Sequence, residues 1–530
     1  MSKLFSKKPN AGATIQAQEE APRFEKVSWT KEPGLRQLYF YAVVLCVASA
    51  TTGYDGMLFN SVQAFDTWKD YFDNPQGQML GLLGALYQIG SMISIFFVPF
   101  FTDHFGRKVP IVIGCVIMIV GAVLQGCCQN LATFMGGRVM LGFGNSFTQL
   151  ASPMLLTEIC HPQHRGRLTT VYNCLWNVGA FVVAWLSFGT NYIPNEWSWR
   201  IPCILQGLPS LIQLTFIYWV PESPRYLIAK DKHDQALAML AKYHGNGDAQ
   251  HPTVQFEYHE IKETLKLELE HKNASKYSEF LRTKGNRYRL AILISLGVFS
   301  QWSGNAIISN YVAVLYDTAG VKGSTDKLGL AGGQTVLSTI VSISMALLVD
   351  RVGRRPMFLA STCGMFFTFI FWTLTSGLYE EKGLDGARFA MIFFIWVHGI
   401  FYSLAWSGLL IGYAIEVLPY KLRAKGLMIM NVCVQASLTL NIYANPLAFE
   451  HFTGHLWKLY LIYTCWILGE VVFVYFMYVE TRGPTLEELA KIIDGDQAEV
   501  ARVDLDSKAY SEDHILGRSS TEKVPGRAAV

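Results

Sequence analysis

Two ionisable residues lie inside apolar runs that are long enough to cross a membrane. Asp55 stands in TTGYDGML in the first run, and Arg138 stands in GGRVMLGFGNS in the fourth. An unpaired carboxylate in hydrocarbon costs at least about 2.5 kcal/mol, so Asp55 needs a cation, a proton or water. A carboxylate that faces an arginine in a site of changing solvation can take up and release a proton. The pair therefore predicts proton coupling, and the alternative is a permanent ion pair that clamps two helices together.

Amide and aromatic side chains are frequent at the predicted mid-membrane depth. Sugars present hydroxyl groups around a ring with apolar C–H faces, so a sugar site needs amides beside flat aromatic rings. A buried amide in hydrocarbon is costly unless it is paired, which favours a wet central cavity, with some of the amides serving instead as bonds between helices. The candidate sugar ligands are Asn173, Trp176, Gln301, Asn305, Asn310, Trp406 and Gln435.

Charged residues also recur at helix ends with equal spacing in the two halves of the chain. The segment DHFGRK at 103–108 is repeated as DRVGRR at 350–355, and PESPR at 221–225 as VETRG at 479–483. Ion pairs between such residues would hold helices together while the cytosolic side is closed and separate as it opens; the alternative is a solvated surface without a gating role. The predicted cytosolic gate consists of Asp103, Arg107, Glu158, Arg165, Asp350, Arg354, Glu416 and Arg423.

The elements that must position these residues are predicted to be transmembrane helices. Hydrophobic residues make up 51% of the 530 residues and charged ones only 16%, against about 25% charged in soluble domains. About twelve apolar runs approach the ~20 residues that a spanning helix needs. They cover 37–60, 80–102, 109–128, 133–155, 169–190, 202–220, 288–315, 328–349, 357–377, 389–414, 426–449 and 459–479.

The runs and the repeats divide the chain into five parts. We predict a tail at 1–36, a six-helix bundle at 37–221, a helical linker at 222–287, a second six-helix bundle at 288–479 and a tail at 480–530. Two repeated halves are typical of secondary transporters, which rock about a central substrate site. Lys and Arg cluster in the short loops of one side, so the positive-inside rule places both termini and the linker in the cytosol.

Several other classes of protein are disfavoured by the residues. The ten cysteines include no CxxC pair, and His161 and His164 have no third ligand nearby in sequence, so we expect neither a disulfide framework nor a metal site. The chain carries no nucleophile-base motif and no phosphate loop, so we expect no enzyme activity and no cofactor. No basic cluster accompanies a nucleic-acid motif. A monomer is expected, because one chain holds both halves.

With these motifs assembled, the chain resembles a sugar porter of the major facilitator superfamily over nearly all its length apart from the tails. The motifs that carry the resemblance are GYD at 53–55, DHFGRK, GGRVMLGFG, PESPR, QWSGNAIISNY, DRVGRR and VETRGPTLEEL. The chain is most similar to the fungal lactose permease and cellodextrin transporter branch. This resemblance implies an all-α membrane protein that imports β-linked disaccharides such as cellobiose or lactose, driven by protons, at the plasma membrane. It also implies that Asn173 and Gln301 hold the sugar and that Asp55 is the proton-coupling acid.

The chain departs from the hexose porters of that family at two places. They usually carry Pro-x-Pro-Trp in the tenth helix and Asn-Trp in the eleventh, whereas this chain has WSGLLIGYAIE at 406–416 and Val434 with Gln435. Such a site could be wider, which fits a disaccharide. The alternatives are a facilitative hexose or pentose uniporter and a non-transporting sugar sensor; sensors of this family have much longer carboxyl tails than the one here.

Overall fold

The computed structural model describes residues 32–274, 277–419 and 422–481, together with residue 493. Within these residues the chain forms twenty-one α-helices, one short 3-10 turn at Pro162–His164 and no strand. The helices are α1 (Pro33–Val62), α2 (Asp66–Tyr71), α3 (Gly77–Ile95), α4 (Val98–Phe105), α5 (Lys108–Gly126), α6 (Leu131–Ile159), α7 (Arg165–Thr190), α8 (Trp197–Leu205), α9 (Gly207–Phe216), α10 (Pro224–Ala229), α11 (His233–His244), α12 (Pro252–Ala274), α13 (Glu279–Arg282), α14 (Lys284–Trp302), α15 (Asn305–Thr318), α16 (Ser324–Val352), α17 (Arg354–Lys382), α18 (Asp385–Ala405), α19 (Leu410–Val417), α20 (Arg423–His451) and α21 (Trp457–Met477).

Every apolar run predicted from the sequence is helical. Ten helical segments of the described chain are long and apolar enough to cross a membrane. The two other predicted spans are α6, which has 29 residues, and the pair α8 and α9. The predicted single helix at 202–220 is divided at Gln206 because Pro209 has no N–H to donate to the carbonyl of Leu205, although Gln206 itself keeps helical dihedral angles.

Three more predicted spans are also broken in two. The runs at 80–102, 288–315 and 389–414 become α3 with α4, α14 with α15, and α18 with α19. Breaks inside spans leave backbone groups without helical partners, so they occur where protein or a cavity can satisfy them. The predicted helices therefore exist, but the sequence pattern did not show where they divide.

The helices pack as two bundles with the linker helices against one end. In the first bundle α1 packs on α7 and α6 on α3 and α5; in the second α17 packs on α18 and α21, and α14 on α20. We call the end where α1 begins and α6 ends the terminal face. There α11 lies so close to α1 that a Cβ on Gly34 would be 2.8 Å from Lys242 O, and His244 Nε2 lies 3.1 Å from Ile159 O. Helix α13 belongs to the second bundle, whose core includes Phe280.

The two bundles are joined at the other end, which we call the opposite face. Gln63 Nε2 donates to Asn310 O at 2.9 Å, and Ala313 N donates to Asn60 Oδ1 at 3.3 Å, which ties α1 to α15. Further round the same face, Asn191 Nδ2 donates to Thr325 Oγ1 at 2.9 Å and Ser324 Oγ at 3.1 Å. These bonds, which we call the opposite-face latch, close the bundles together at this end.

Candidate functional site

Asp55 is buried in the first bundle and is held by two neutral donors. Its side chain is 2% exposed. Gln206 Nε2 donates to Oδ1, and Tyr87 OH donates to Oδ2 at 3.2 Å. Gln206 lies at the junction of α8 and α9, and Tyr87 comes from α3. Two helices that the sequence did not connect with Asp55 therefore supply its partners.

Arg138 reaches the same cluster through aromatic rings rather than through the carboxylate. Its Nε donates to Leu83 O at 3.3 Å, and its guanidinium lies 4.4 Å from the ring centre of Phe59 and 5.1 Å from that of Tyr87. Tyr87 therefore stands between the two charges, with its hydroxyl on Asp55 and its ring against Arg138. The close approach depends on Gly142 of α6, where a Cβ would lie only 1.9 Å from Tyr87 O.

This arrangement can support a change of protonation. Asp55 receives hydrogen bonds from an amide and a phenol, neither of which neutralises its charge. Arg138 is 4% exposed, and its Nη1 has no hydrogen-bond partner. Because both charges are buried and both contact Tyr87, a movement of α1 against α6 would change how strongly the charged form of Asp55 is favoured.

Helix α7 carries the first predicted sugar ligands directly beside α1. Gly53 packs on the backbone of Trp176, where a Cβ would lie 1.8 Å from Trp176 O, and the Trp176 ring lies 3.6 Å from the position of a Cβ on Gly56. Asn173, one turn earlier, is exposed, and Trp176 is 41% exposed. An amide and an indole thus share one surface next to the helix that carries Asp55.

The seventh span is broken between Gln301 and Asn305, and side chains of the tenth span form hydrogen bonds to the backbone at the break. Helix α14 ends at Trp302, and Gly304 has φ +94°, a left-handed conformation that favours glycine. His398 Nε2 lies 2.9 Å from Ser303 O, and Tyr402 OH donates to Ser300 O at 3.0 Å. Both side chains come from α18, four residues apart. They satisfy carbonyl groups at the end of α14 and so fix the two half-buried amides on either side of the break.

The other predicted sugar ligands have different surroundings. Gln435 of α20 is half-buried, and its Oε1 has no hydrogen-bond partner. Asn310 donates from Nδ2 to Ala306 O at 2.9 Å, and its backbone carbonyl accepts from Gln63 in the opposite-face latch. Trp406 is 1% exposed, with Nε1 donating to Thr362 Oγ1 at 3.3 Å and its ring packed on Phe358. In this conformation Trp406 lies in the core of the second bundle and offers no surface to a ligand.

The predicted gate residues form ion pairs within each bundle. Arg107 binds Glu158 through two hydrogen bonds of 3.0 and 3.1 Å, and Arg354 binds Glu416 at 3.0 Å. Both pairs lie at the terminal face. Asp103 is exposed and Arg423 is half-buried. The side chains of Arg165 and Asp350 lie outside the described residues.

The residue missed by the sequence analysis in each repeat is the glutamate of PESPR and VETRG. Glu222 accepts from the backbone N of Arg107 at 3.0 Å and of Lys108 at 3.4 Å, at the start of α5. Glu480 accepts in the same way from Arg354 and Arg355 at the start of α17, at 3.0 and 3.1 Å. Each glutamate thus fills the anion site at a helix N-terminus.

The glycine of each repeat makes room for that glutamate. Gly106 has φ +90° and Gly353 has φ +100°. A Cβ would lie 2.7 Å from Glu222 Oε2 at the first position and 2.8 Å from Glu480 Oε2 at the second. The recurrence of the two motifs in the same order in both halves was the available indication that the loop glycine and the distant glutamate act together.

The chain matches a known family over most of its length. Residues 41–493 match the family model described as sugar (and other) transporter. A high-affinity glucose transporter of Kluyveromyces lactis is 28% identical over 486 residues, covering 88% of this chain and 87% of the relative. Sugar transport protein 13 of Arabidopsis thaliana is 30% identical over 428 residues, covering 79% of this chain and 78% of the relative.

Solved structures share the fold. The inward open conformation of the xylose transporter XylE from E. coli has a TM-score of 0.70 at 20% identity, covering 86% of this chain and 99% of that chain. A structure described as the proton:xylose symporter XylE bound to 6-bromo-6-deoxy-D-glucose has a TM-score of 0.67. These similarities confirm the predicted all-α architecture, with twelve transmembrane helices in two six-helix halves.

Proposed function

The chain belongs to the sugar transporter family of the major facilitator superfamily, and from that premise we propose that it imports a β-linked disaccharide together with a proton. Family membership makes it a multi-pass membrane transporter for sugars rather than an enzyme. The proton, the disaccharide and the direction of transport are our proposals.

The observation that carries the proton coupling is the Asp55 cluster. A buried carboxylate with neutral donors, separated from Arg138 by the Tyr87 ring, can exist with or without a proton. We propose that Asp55 is protonated while the bundles are open to the outside, and that Arg138 favours proton release after they close. Asp55 belongs to α1, and Trp176 of α7 packs on the α1 turn that contains Asp55. Binding of sugar and of the proton would therefore act on the same pair of helices.

The proposed sugar site lies where the two bundles face each other. Asn173 and Trp176 come from the first bundle, and Gln301, Asn305 and Gln435 from the second, so a ligand that touches both sets would draw the bundles together. The indole supplies a flat apolar face for the pyranose ring, and the amides supply donors and acceptors for its hydroxyls. Gln435 carries an unpaired Oε1 that a sugar hydroxyl would satisfy. Asn310 and Trp406 would join this set only in a conformation that frees them from the latch and the core.

Alternating access follows from the contacts between the bundles. We propose that the terminal face is cytosolic, as the basic loops indicate, and that the opposite face is extracellular. The opposite-face latch would then mark an inward-facing state. The pairs Arg107–Glu158 and Arg354–Glu416 are formed within single bundles, so in this assignment they would stiffen each bundle as it moves rather than separate as the cytosolic side opens, as we expected from the sequence. This assignment puts the protein at the plasma membrane with both termini in the cytosol.

The second candidate function is facilitated transport of a hexose or pentose. Relatives named as glucose transporters favour it. The segment at 406–416 and the Val434–Gln435 pair favour the disaccharide, because the first lacks the Pro-x-Pro-Trp motif and the second lacks the Asn-Trp pair of hexose porters.

An uptake experiment separates the two candidates. Cells of a yeast strain without its own sugar transporters would take up labelled cellobiose, lactose or glucose from acidic medium, with and without a protonophore. We expect cellobiose or lactose to accumulate above the external concentration and the protonophore to abolish the accumulation. Glucose uptake that stops at equilibrium and ignores the protonophore would overturn the proposal in favour of a uniporter.

A further inference from the structure

A cavity of about 600 Å³ opens at the opposite face, between the bundles and beyond the latch. Its walls come from the chain between α1 and α3 in the first bundle and from the ends of α15 and α20 in the second. We call it the vestibule and define it by Gln63, Trp68, Asp70, Asp317, Phe449 and Glu450. It is distinct from the predicted central site, because none of the seven predicted sugar ligands lines it. Ligand pockets have volumes of about 300 to 1,000 Å³.

Two residues of the vestibule keep a polar atom without a partner. Gln63 is 3% exposed; its Nε2 donates to Phe59 O and Asn310 O, but its Oε1 accepts nothing. Trp68 is 1% exposed, and its Nε1–H donates to nothing. A buried polar group without a partner costs about 1–3 kcal/mol. One group lacks a donor and the other lacks an acceptor, but both atoms are closed off from the cavity in this conformation, so a ligand hydroxyl would reach them only after these side chains turn toward it.

The charges of the other lining residues indicate which kinds of ligand the vestibule would bind. Asp66, Asp70 and Glu450 offer carboxylates, whereas the one lysine of the lining, Lys69, is within 3.8 Å of Asp317. This excess of acidic groups disfavours anions. In the described part of the chain, no three His, Cys, Asp or Glu side chains are placed to hold a metal ion, which disfavours a divalent cation.

Apolar side chains complete the vestibule. Leu80 and Phe449 belong to its lining together with the carboxylates and amides. A neutral polyhydroxyl compound fits this mixture, because carboxylates and amides accept from its hydroxyls while apolar groups cover its C–H faces.

We propose that the vestibule is an outer saccharide site, occupied while the latch is closed, from which the next sugar enters when the bundles part. The proposal rests on the proposed function, since it takes the ligand to be the transported saccharide and the opposite face to be extracellular. Because the walls come from both bundles, the site would exist in this form only while the latch holds. Opening of the latch would release the sugar toward the central site.

Thiol protection tests the proposal on the full-length protein in intact cells. The variant Thr453→Cys places a thiol in the vestibule lining, in a background where the two cysteines that the structure describes as exposed are replaced by Cys127→Ser and Cys465→Ser. A charged, membrane-impermeant thiol reagent modifies it, and cellobiose or lactose is the probe. Sugar at about twice its Kd should slow the modification about threefold, because the free fraction falls as 1/(1 + [L]/Kd). The matched control is Tyr192→Cys, which is 67% exposed after the end of α7 and outside the vestibule.

Two further variants separate direct binding from an effect of the central site. Protection should persist in Thr453→Cys combined with Gln301→Ala, and it should need about 5-fold more sugar when Asp70→Asn is added, as expected when a charged acceptor is replaced by a weaker neutral one. Loss of protection with Gln301→Ala, equal protection of Tyr192→Cys, or protection by calcium but not by cellobiose would each overturn the proposal. Normal cellobiose uptake without protection would reject the vestibule site alone, whereas absence of accumulation would reject the proposed function.

Discussion

At the residue scale, the charged residues and the proposed sugar-binding residues are different side chains that lie on neighbouring helix turns. Asp55 and Arg138 meet through the hydroxyl and ring of Tyr87. Trp176 packs on Gly56, the residue that follows Asp55. A sugar that presses on the Trp176 ring would therefore act on the helix turn that holds the carboxylate, which gives coupling a short physical path.

Loss of the proposed sugar-binding amides should weaken affinity without stopping transport. Asn173→Ala and Gln301→Ala each remove one or two hydrogen bonds to the sugar, about 1–3 kcal/mol, so the apparent KM for cellobiose should rise about 5- to 100-fold with little change in maximal rate. Gln250→Ala, on the exposed surface of the linker, is the control. The measurement is the concentration dependence of uptake at equal surface expression; an unchanged KM in both variants would contradict the assignment.

The sequence predicted the charges of the site better than their partners. Asp55 and Arg138 were identifiable because a charge inside an apolar run is costly and therefore conspicuous. Tyr87 and Gln206 were not, because a tyrosine or a glutamine in such a run fits many roles, and only the packing of the helices against α1 brings them to Asp55. Trp406 shows the reverse case: its type suits a sugar, but in this conformation the fold encloses it against Phe358.

At the scale of the element, several residues that we propose to be functional lie beside interruptions of helices. The break at Gly304 sets the positions of Gln301 and Asn305, and α18 holds it through His398 and Tyr402. Gln206, at the junction of α8 and α9, donates to Asp55. Hydrophobic periodicity predicts that a span exists, but it cannot locate a break that depends on one proline, one glycine and partners from another helix.

Removal of the bonds between α18 and the seventh span should slow transport. Tyr402→Phe and His398→Phe each leave a carbonyl of α14 without its donor, at a cost of about 1–1.5 kcal/mol, and should lower the maximal uptake rate about 5- to 10-fold. His398→Gln keeps a donor and should restore part of the rate. Tyr475→Phe, with a side chain 56% exposed, is the matched control. Maximal rates equal to that of the unaltered protein would show that the bonds do not position the break.

The two glutamates at the helix N-termini should contribute to stability in equal measure. Glu222→Gln and Glu480→Gln remove the negative charge from the start of α5 and of α17, which should cost about 0.5–2 kcal/mol each and lower the unfolding midpoint by a few degrees. Glu381→Gln, exposed at the end of α17, is the control. The measurement is the thermal unfolding midpoint of the purified protein in detergent. A midpoint equal to that of the unaltered protein in both variants would contradict the role of these carboxylates as helix caps.

At the scale of the whole molecule, the repeated motifs correspond to repeated structure. Each half places a loop glycine, an arginine and a distant glutamate together at the terminal face. The sequence showed that the motifs recur in the same order in both halves, but not that the glutamate of PESPR or VETRG binds the loop. It did not predict the opposite-face latch, because Gln63, Asn191 and their partners belong to no repeated motif and meet only when the bundles pack.

Covalent closure of the latch should stop transport. In a Cys127→Ser, Cys465→Ser background, Asn191→Cys with Thr325→Cys puts one thiol on each bundle, at positions whose side chains now share a 2.9 Å hydrogen bond. A short bifunctional thiol reagent that can be cleaved by reduction should abolish sugar uptake, and reductant should restore it. The control pair, Thr67→Cys with Ser198→Cys, links two positions of the same bundle and should leave uptake unchanged. Uptake that survives the first cross-link would contradict movement at this face.

The most direct test of proton-coupled sugar import compares the unaltered protein with Asp55→Asn in proteoliposomes under an inwardly directed proton gradient. We predict that the unaltered protein and the exposed control Asp385→Asn accumulate cellobiose above equilibrium, while Asp55→Asn only exchanges labelled for unlabelled sugar. Accumulation by Asp55→Asn equal to that of the unaltered protein would contradict the assignment of Asp55 as the proton site. Failure of the unaltered protein to accumulate sugar under the gradient would contradict proton coupling itself.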